Sequence, residues 1–382
     1  MSKRADCVIV GGGIIGCGAA YYLSKLGAKR VLLLEREKFL ATGATAKSAA
    51  AVRHLFTTPI NIRLSMRSLD VFERFEEEFD TDPALVQNGY MFVAPNDAQW
   101  EILQKNTAIQ KAQGVRVELV GPREILKIVP QLNAEDVLGG SFGPRDGTID
   151  PNSVTMGYAQ RARAQGVEFL MECEATGVRV EGGRVRGVET DKGRIEAPLL
   201  IDASGPHLAV LAKKIGVDVP ALPYRRMLAT TERFDKITKT LPLTIDMASG
   251  WYCRREADGV MMGRANKKEI SSFDETVDWS WIEKMIEAGV HRVPVLEEAQ
   301  ISKAWAGLYT VTPDRHPVVG PLPGVEGFYL IGGFSGRGIM HSPAACEALA
   351  QRILLGKSDL DIDPLRFERF AEGDLQVETA VI

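Results

Sequence analysis

A strand, a glycine motif, a helix and a second strand follow one another within residues 6–35. The apolar run at 7–10 is typical of a buried parallel strand, and a G-x-G-x-x-G motif follows it directly at 11–16. A helical segment of small and apolar residues comes next, and a second apolar run at 31–34 ends in Glu35. This order predicts a β-α-β unit at the start of a parallel sheet.

Each residue of the motif has a physical reason to be there. Gly11 permits the tight turn after the strand, Gly13 lets the backbone approach a pyrophosphate, and Gly16 lets the helix pack closely on the strand. Glu35, about 20 residues further on, can accept hydrogen bonds from ribose hydroxyls. The unit therefore predicts a dinucleotide site, and the alternative is a glycine-rich strand–helix turn that binds nothing.

Composition excludes several classes of protein. At 382 residues the chain is long enough for two domains, and its net charge of −4, without any basic tract, gives no electrostatic case for nucleic acid. No apolar run approaches the ~20 residues of a membrane span, and the first strand begins too early for a signal peptide. The five cysteines are scattered without C-x-x-C spacing, which argues against zinc and disulfides. We therefore expect a cytoplasmic protein without a metal.

A second strand–glycine unit lies near the other end of the chain. The run at 328–331 leads into the glycine-rich loop 332–338, and we expect the next helix to have Ser342 as its N-cap and Pro343 at its first position. Glycine units at both ends do not fit a simple nicotinamide dehydrogenase. They fit a flavoprotein in which segment 336–342 directs a helix N-terminus at the flavin ring. An ordinary capped helix is the alternative.

The chain resembles the D-amino-acid oxidase superfamily of FAD enzymes, within it most closely the group of sarcosine oxidase β-subunits, glycine oxidases and dye-linked L-proline dehydrogenase β-subunits. The resemblance covers nearly the whole chain. It rests on GGGIIGCGAAYYLSKLGAKRVLLLE at 11–35, ATGAT at 41–45, DGTIDP at 146–151, IDASGP at 201–206 and, most specifically, residues 305–350. It implies an α/β fold in which a Rossmann-like FAD-binding domain of the glutathione-reductase type is interrupted by an α+β substrate domain with an antiparallel sheet.

The resemblance also implies where the chain passes from one domain to the other. We expect the FAD-binding domain to consist of residues 1–87, 146–220 and 310–382, and the substrate domain of 88–145 and 221–309.

Motifs and resemblance together give the expected cofactor contacts. They are Gly11, Gly13, Ile14, Ile15, Gly16, Glu35, Arg36, Thr42, Gly43, Ala44, Thr45, Ser48, Ala49, Val178, Ser204, Gly205, Gly307, Gly333, Gly336, Arg337, Gly338, Ile339 and Met340.

Four residues are predicted to act on the substrate. In the family pattern Arg53 binds the substrate carboxylate, and an arginine can do this bidentately, although a salt-bridged surface arginine is the alternative. Tyr309 matches an active-site tyrosine, whereas Tyr252 is as compatible with a structural role. The resemblance places His341 beside the flavin, and His54 receives no role.

Three departures from the family pattern refine the expectation. Gly307 stands where sarcosine oxidase has its flavin-linked cysteine, so the FAD is expected to be non-covalent. Met340 replaces a lysine of that oxidase, which favours a dehydrogenase over an oxidase. Tyr309 replaces a carboxylate-binding arginine of glycine oxidase, which argues against that activity.

The sequence thus predicts an FAD-dependent oxidoreductase that oxidises the C–N bond of a secondary or cyclic amino acid by hydride transfer to flavin N5. One alternative is a 2-hydroxy-acid dehydrogenase, which needs a base such as His54, His316 or His341. The other is an FAD-carrying subunit of a hetero-oligomeric amine dehydrogenase that is inactive alone. The expected partners are a small amino acid and either a second copy or a partner subunit that accepts electrons.

Overall fold

The computed structural model describes residues 3–380, which form twenty strands and ten α-helices. The strands are β1 (Lys3–Arg4), β2 (Cys7–Val10), β3 (Val31–Leu34), β4 (Ala51–Val52), β5 (Tyr90–Ala94), β6 (Glu118–Val120), β7 (Gly139–Gly143), β8 (Gly147–Thr148), β9 (Glu168–Leu170), β10 (Ala175–Glu181), β11 (Arg184–Thr190), β12 (Gly193–Glu196), β13 (Leu199–Asp202), β14 (Leu222–Thr231), β15 (Leu243–Asp246), β16 (Trp251–Glu256), β17 (Gly259–Arg264), β18 (Ile301–Val311), β19 (Val318–Pro321) and β20 (Phe328–Gly332). The helices are α1 (Ile14–Lys25), α2 (Pro59–Phe72), α3 (Phe75–Phe79), α4 (Asp97–Ala112), α5 (Pro122–Ile128), α6 (Pro151–Ala164), α7 (Leu208–Lys214), α8 (Trp279–Arg292), α9 (Gly338–Leu355) and α10 (Arg369–Glu372), with short 3-10 turns at Gly205–His207, Pro294–Glu298 and Asp363–Leu365.

A six-stranded sheet in the order β19-β20-β13-β2-β3-β9 carries the glycine motif, and all its strands are parallel except β19. Strands β2 and β3 in its middle are apolar and buried along their whole length because both faces of the sheet are covered. Ile9 faces the cluster formed with α1 and α9, whereas its neighbour Val8 faces α7 and the four-stranded sheet β1-β12-β11-β10. The mixed α/β fold predicted from the sequence is confirmed.

A larger eight-stranded sheet has the order β18-β14-β17-β16-β15-β5-β7-β6. It is not purely antiparallel as expected, because β5 and β15 run parallel. No hairpin can join these two strands, since the chain passes through the six-stranded sheet between them. One face of the sheet packs on α8, and the other faces the glycine motif. Its strands come from residues 90–143 and 222–311, and we propose this sheet with its helices as the substrate domain.

The last long helix begins earlier than the capping residues predicted. Gly338 is the first residue of α9, and Pro343 therefore lies inside the helix rather than at its start. Pro343 has no N–H to offer the carbonyl of Ile339, and the Ser342 hydroxyl donates to that carbonyl instead, at 2.9 Å. The turn that starts the helix is set by Gly336, whose φ is +88°. The helix N-terminus consequently lies at the glycine-rich loop itself.

Within residues 3–380 no helix is long and apolar enough to cross a membrane. The same residues contain no cluster of side chains suited to a metal ion, and the five cysteines are buried and unpaired.

Candidate active site

The turn between β2 and α1 and the first turn of α1 each contain one position that only glycine can occupy. Gly11 has a φ of +109°, and a Cβ there would lie 2.5 Å from the carbonyl oxygen of Ala203. A Cβ on Gly16 would lie 1.8 Å from the carbonyl oxygen of Gly11. The helix start, the strand end and the neighbouring strand β13 are thus in backbone contact. This leaves the N-terminus of α1 open toward a ligand at the sheet edge.

Glu35 follows β3 and reaches back to the glycine turn. One carboxylate oxygen accepts a hydrogen bond of 2.6 Å from the N–H of Gly12, and the other accepts one of 2.8 Å from the N–H of Glu37. Both partners are backbone groups, so the carboxylate is held at the point where a ribose would follow the pyrophosphate.

The small-residue loop after Glu35 is fixed against the same turn. Thr45 accepts a hydrogen bond of 3.2 Å from the N–H of Ile14 through its hydroxyl oxygen, and the N–H of Ala41 donates to the carbonyl of Gly12 at 3.0 Å. The loop therefore forms a second wall beside the helix N-terminus.

These walls enclose a cavity of about 740 Å³, a volume within the usual range for ligand sites. It extends from the carboxyl ends of β2 and β3 to the glycine-rich loop before α9, beneath strands β14, β16 and β18. Nineteen of the predicted cofactor residues line it: Gly11, Gly13, Ile14, Ile15, Glu35, Arg36, Thr42, Gly43, Ala44, Thr45, Ser48, Ala49, Ser204, Gly205, Gly307, Gly333, Gly336, Gly338 and Ile339.

Four predicted cofactor residues do not line the cavity. Gly16 packs beneath the turn, and Val178 lies on β10, whereas residues 173–175, at and before the start of that strand, line the cavity in its place. Those residues lie in the connection that leaves β9, the neighbour of β3, which explains their position. Arg337 and Met340 point into the protein interior and are 3% and 7% exposed.

The far end of the cavity lies under the eight-stranded sheet and contains both predicted tyrosines. The ring of Tyr309 lies over Gly336, where a Cβ would come within 2.3 Å of it. Tyr252 lines the same end from β16. Burial raises the pKa of both phenols; for Tyr309 the nearby Arg226 opposes the rise without cancelling it. Both tyrosines therefore remain protonated at neutral pH and can donate hydrogen bonds.

Arg53 is held outside this cavity. Its guanidinium donates to the backbone carbonyls of Leu55 and Ala380 and lies 4.1 Å from the ring centroid of Phe56. Residue 53 is therefore a buried arginine, not a surface one. One of its two hydrogen bonds goes to a residue more than 300 positions away in the chain. The structure does not bring its side chain to the cavity wall.

His341 is also absent from the cavity wall. It is completely buried in α9, with Nε2 at 2.9 Å from the Ser65 hydroxyl. Burial and the nearby Arg337 lower its pKa well below the usual value, so the ring is neutral. His54 lies against Asp146, and His316 lies 2.8 Å from the Thr58 hydroxyl, both buried.

Three features of the cavity wall were missed in the sequence. Arg226 and Leu228 reach it from β14, and alternation along that strand puts both on one face. At the mouth, Lys47 forms an ion pair with Glu275. The rings of His207 and Phe273 stack there with centroids 4.6 Å apart. The two contacts at the mouth of the cavity join residues that are far apart in the chain, and no local sequence pattern indicates them.

The cavity fits FAD by its own geometry. Its glycines lie where side chains would fill the space, at the turn after β2, at Gly307 (where a Cβ would meet Lys47 at 2.8 Å) and at Gly336. Gly307 also offers no sulfur for a covalent link. The N-termini of α1 and α9 both open onto the cavity and would favour the pyrophosphate and the electron-rich edge of a flavin.

Comparisons with known proteins agree with this geometry. The DAO family model, described as FAD dependent oxidoreductase, matches residues 6–352. Human mitochondrial sarcosine dehydrogenase is 32% identical over 97% of this chain, which spans only 42% of that protein. Sarcosine oxidase subunit beta from an Arthrobacter species is 27% identical, with 98% of this chain and 93% of the relative covered.

Among solved structures, L-proline dehydrogenase from P. horikoshii superimposes with a TM-score of 0.93 at 28% identity, covering 98% of this chain and all of that one. The match to the family model spans the glycine motif, both walls of the cavity and most of α9. The chain therefore belongs to the DAO family of FAD-dependent oxidoreductases, with FAD as its cofactor.

Proposed function

We propose that this protein is a dehydrogenase that oxidises the C–N bond of a small secondary or cyclic amino acid of the sarcosine or proline type. The observation that carries the proposal is the end of the cavity under the eight-stranded sheet, called the flavin end below. Among residues 3–380, the protonated Tyr252 and Tyr309 and the guanidinium of Arg226 line it, and no histidine does. Relatives named for sarcosine and proline oxidation support the substrate class.

The residues of this cavity bind and orient rather than exchange protons. Tyr252 and Tyr309 can donate hydrogen bonds to a carboxylate, and the sheet above them excludes water from the reacting carbon. When bound, FAD would supply the acceptor for the hydride, which carries both electrons of the oxidation. The amine must enter unprotonated, because its nitrogen lone pair forms the C=N bond as hydride leaves the α-carbon. Water then hydrolyses the imine product, or the product remains cyclic.

The N-terminus of α9 provides electrostatic support for the reaction. Gly338 begins a helix of eighteen residues and lines the cavity, so the positive end of the helix dipole faces the cofactor site. A helix terminus of this kind favours an anion by about 0.3–1 kcal/mol when exposed and by more when buried. The N-terminus of α9 would therefore stabilise the negative charge that the cofactor gains when it is reduced.

We propose a dehydrogenase rather than an oxidase because Met340, in the position of the oxidase lysine, is buried and uncharged. The 2-hydroxy-acid alternative lacks its base at the flavin end: among residues 3–380 the only histidine of the cavity wall is His207, beside Gly205. The subunit alternative draws support from the relative named sarcosine oxidase subunit beta. We therefore include a partner subunit as a candidate electron acceptor.

Anaerobic bleaching of the flavin absorbance near 450 nm tests the proposal. The purified FAD-loaded protein is mixed in turn with sarcosine, L-proline, D-proline, glycine and L-2-hydroxyglutarate. Bleaching by sarcosine or a proline, with slow recovery on admission of air, is the expected result. Bleaching by the hydroxy acid alone would refute the amine assignment, and rapid recovery with peroxide would make the protein an oxidase. Absence of bleaching by every compound would favour the partner-dependent subunit.

A further inference from the structure

We infer that Arg226, and not Arg53, holds the carboxylate of the substrate. This inference rests on the proposed function for the identity of the substrate, but the anion site itself follows from the charges and contacts of the cavity wall.

Arg226 is a cation without a carboxylate partner. Within residues 3–380 no acidic oxygen lies within 4.0 Å of its guanidinium, and its one hydrogen bond runs from Nη1 to the carbonyl of Arg225, at 2.8 Å. Its Nε is buried and has no acceptor. A partly buried guanidinium with free donors is costly unless a ligand supplies the acceptors. The cavity, which the side chain lines, is where that ligand can bind.

The neighbouring arginine on the same strand shows the contrast. Arg225 points to the opposite side of β14 and forms ion pairs with Glu269 at 3.0 Å and Asp274 at 2.7 Å. Acidic residues thus neutralise the arginine outside the cavity and leave the one inside it unpaired.

The position of Arg226 suits a small amino acid. It lies directly across from Gly307 on β18, which has no side chain, and both residues line the cavity. Its guanidinium carbon is 5.4 Å from the ring centroid of Tyr309, whose hydroxyl can share the same anion. A carboxylate held by this pair would leave the α-carbon directed toward the flavin, whereas an amine without a carboxylate would lose its anchor.

Arg53 has no such freedom. Arg53 is 5% exposed, and its guanidinium already donates to two backbone carbonyls. Three aromatic rings surround it, with centroids between 4.1 and 5.4 Å from the guanidinium carbon. To bind substrate it would have to release the carbonyl of Ala380 and move past these rings. Its position is that of a structural arginine which ties the segment near Ala380 to the wall beneath the cavity.

The test compares Arg226→Gln and Arg226→Lys with Arg53→Gln and Arg53→Lys, all as FAD-loaded protein. The first measurement is the dissociation constant of 2-furoate, an unreactive carboxylate, from the shift it causes in the flavin absorbance. We expect Arg226→Gln to weaken furoate about 100-fold and Arg226→Lys to recover part of the loss, because lysine keeps the charge without the bidentate geometry. Both Arg53 variants should bind furoate within threefold of the wild type; if Arg53→Gln fails to fold, Arg53→Lys carries the comparison.

The second measurement separates carboxylate binding from catalysis. The ratio of kcat/KM for L-proline to kcat/KM for pyrrolidine should fall about 100-fold in Arg226→Gln, because only L-proline carries the carboxylate that the arginine would bind. Loss of furoate binding in the Arg53 variants but not in Arg226→Gln would overturn the inference. So would purification of Arg226→Gln without FAD, because the residue would then be a cofactor contact. Furoate binding that depends on Arg226, in a protein that oxidises no amine, would refute the proposed function and leave the anion site standing.

Discussion

Glu378 is the buried carboxylate whose removal has the most predictable consequence. It is inaccessible to solvent and accepts hydrogen bonds from the backbone N–H groups and hydroxyls of Thr57 and Thr58 and from the amide of Asn61, at 2.5–3.2 Å. Burial by itself would raise its pKa, but the hydrogen bonds from Asn61 and Thr57 outweigh burial and hold the pKa at about 2. The carboxylate thereby ties the segment near residue 378 to the N-terminus of α2.

The size of the effect follows from the pKa. A fall from 4.5 to about 2 corresponds to about 3 kcal/mol of folding free energy in favour of the ionised form. Because the pKa is lowered on folding, this contribution is complete above pH 4.5 and disappears as the pH falls toward 2. We therefore expect Glu378→Gln to reduce the free energy of unfolding by about 3 kcal/mol at pH 7, and by progressively less below pH 4.5.

The measurement is urea unfolding of the FAD-loaded protein at pH 7, 5 and 3.5, followed by tryptophan fluorescence. Glu372→Gln is the matched control, since Glu372 is an exposed glutamate of the same region whose partner is Arg366. It should change the free energy of unfolding by less than about 1 kcal/mol. Equal losses in the two variants, or a loss in Glu378→Gln that is the same at pH 3.5 as at pH 7, would refute the reasoning.

Three further predictions concern residues of the proposed FAD-binding domain. Gly16→Ala should weaken FAD binding at least about tenfold by fluorescence titration, because its Cβ has no room, whereas Gly177→Ala, whose Cβ would meet no atom closer than 3.4 Å and which does not line the cavity, should bind normally. Burial raises the pKa of Asp202 to about 7, so its ionisation costs stability as the pH rises from about 4 to 7; Asp202→Asn should raise the melting temperature at pH 8 and have little effect at pH 4. Asp314→Asn should cost about 3–5 kcal/mol in urea unfolding because it leaves the buried Arg369 guanidinium, 2.7 Å away, without its charge partner; an unchanged midpoint would contradict this.

The sequence was most informative where the structure depends on interactions between residues that are close together in the chain. The apolar runs at 7–10 and 31–34 could be read as parallel strands because a strand buried on both faces has no polar alternation. The glycine turn between them could be read as a ligand site because its backbone contacts tolerate no Cβ. Most of the predicted cofactor contacts lie in such strand–turn–helix units, and the cavity joins those units together.

Long-range contacts explain what the sequence could not reveal. The carbonyl of Ala380 accepts a hydrogen bond from the guanidinium of Arg53, and no sequence pattern near residue 53 indicates this contact. The capping preferences of Ser342 and Pro343 misplaced the helix start because the Ser342 hydroxyl takes over one backbone carbonyl, which those preferences do not represent. Arg226 could have been found from strand alternation alone, had the direction of β14 relative to the cavity been known.

The arrangement of the six-stranded sheet also has a consequence for biosynthesis. Strand β2 is made first but lies between β3 and β13, and β13 in turn needs β20 at its other edge. At a translation rate of about 5–20 residues per second, roughly 10–40 seconds separate the synthesis of β2 from that of β13. During that interval an apolar edge of the nascent chain is unpaired, and the cofactor wall contributed by α9 does not yet exist. Tight capture of FAD must therefore await nearly the whole chain, and chaperones have a long window in which to protect β2.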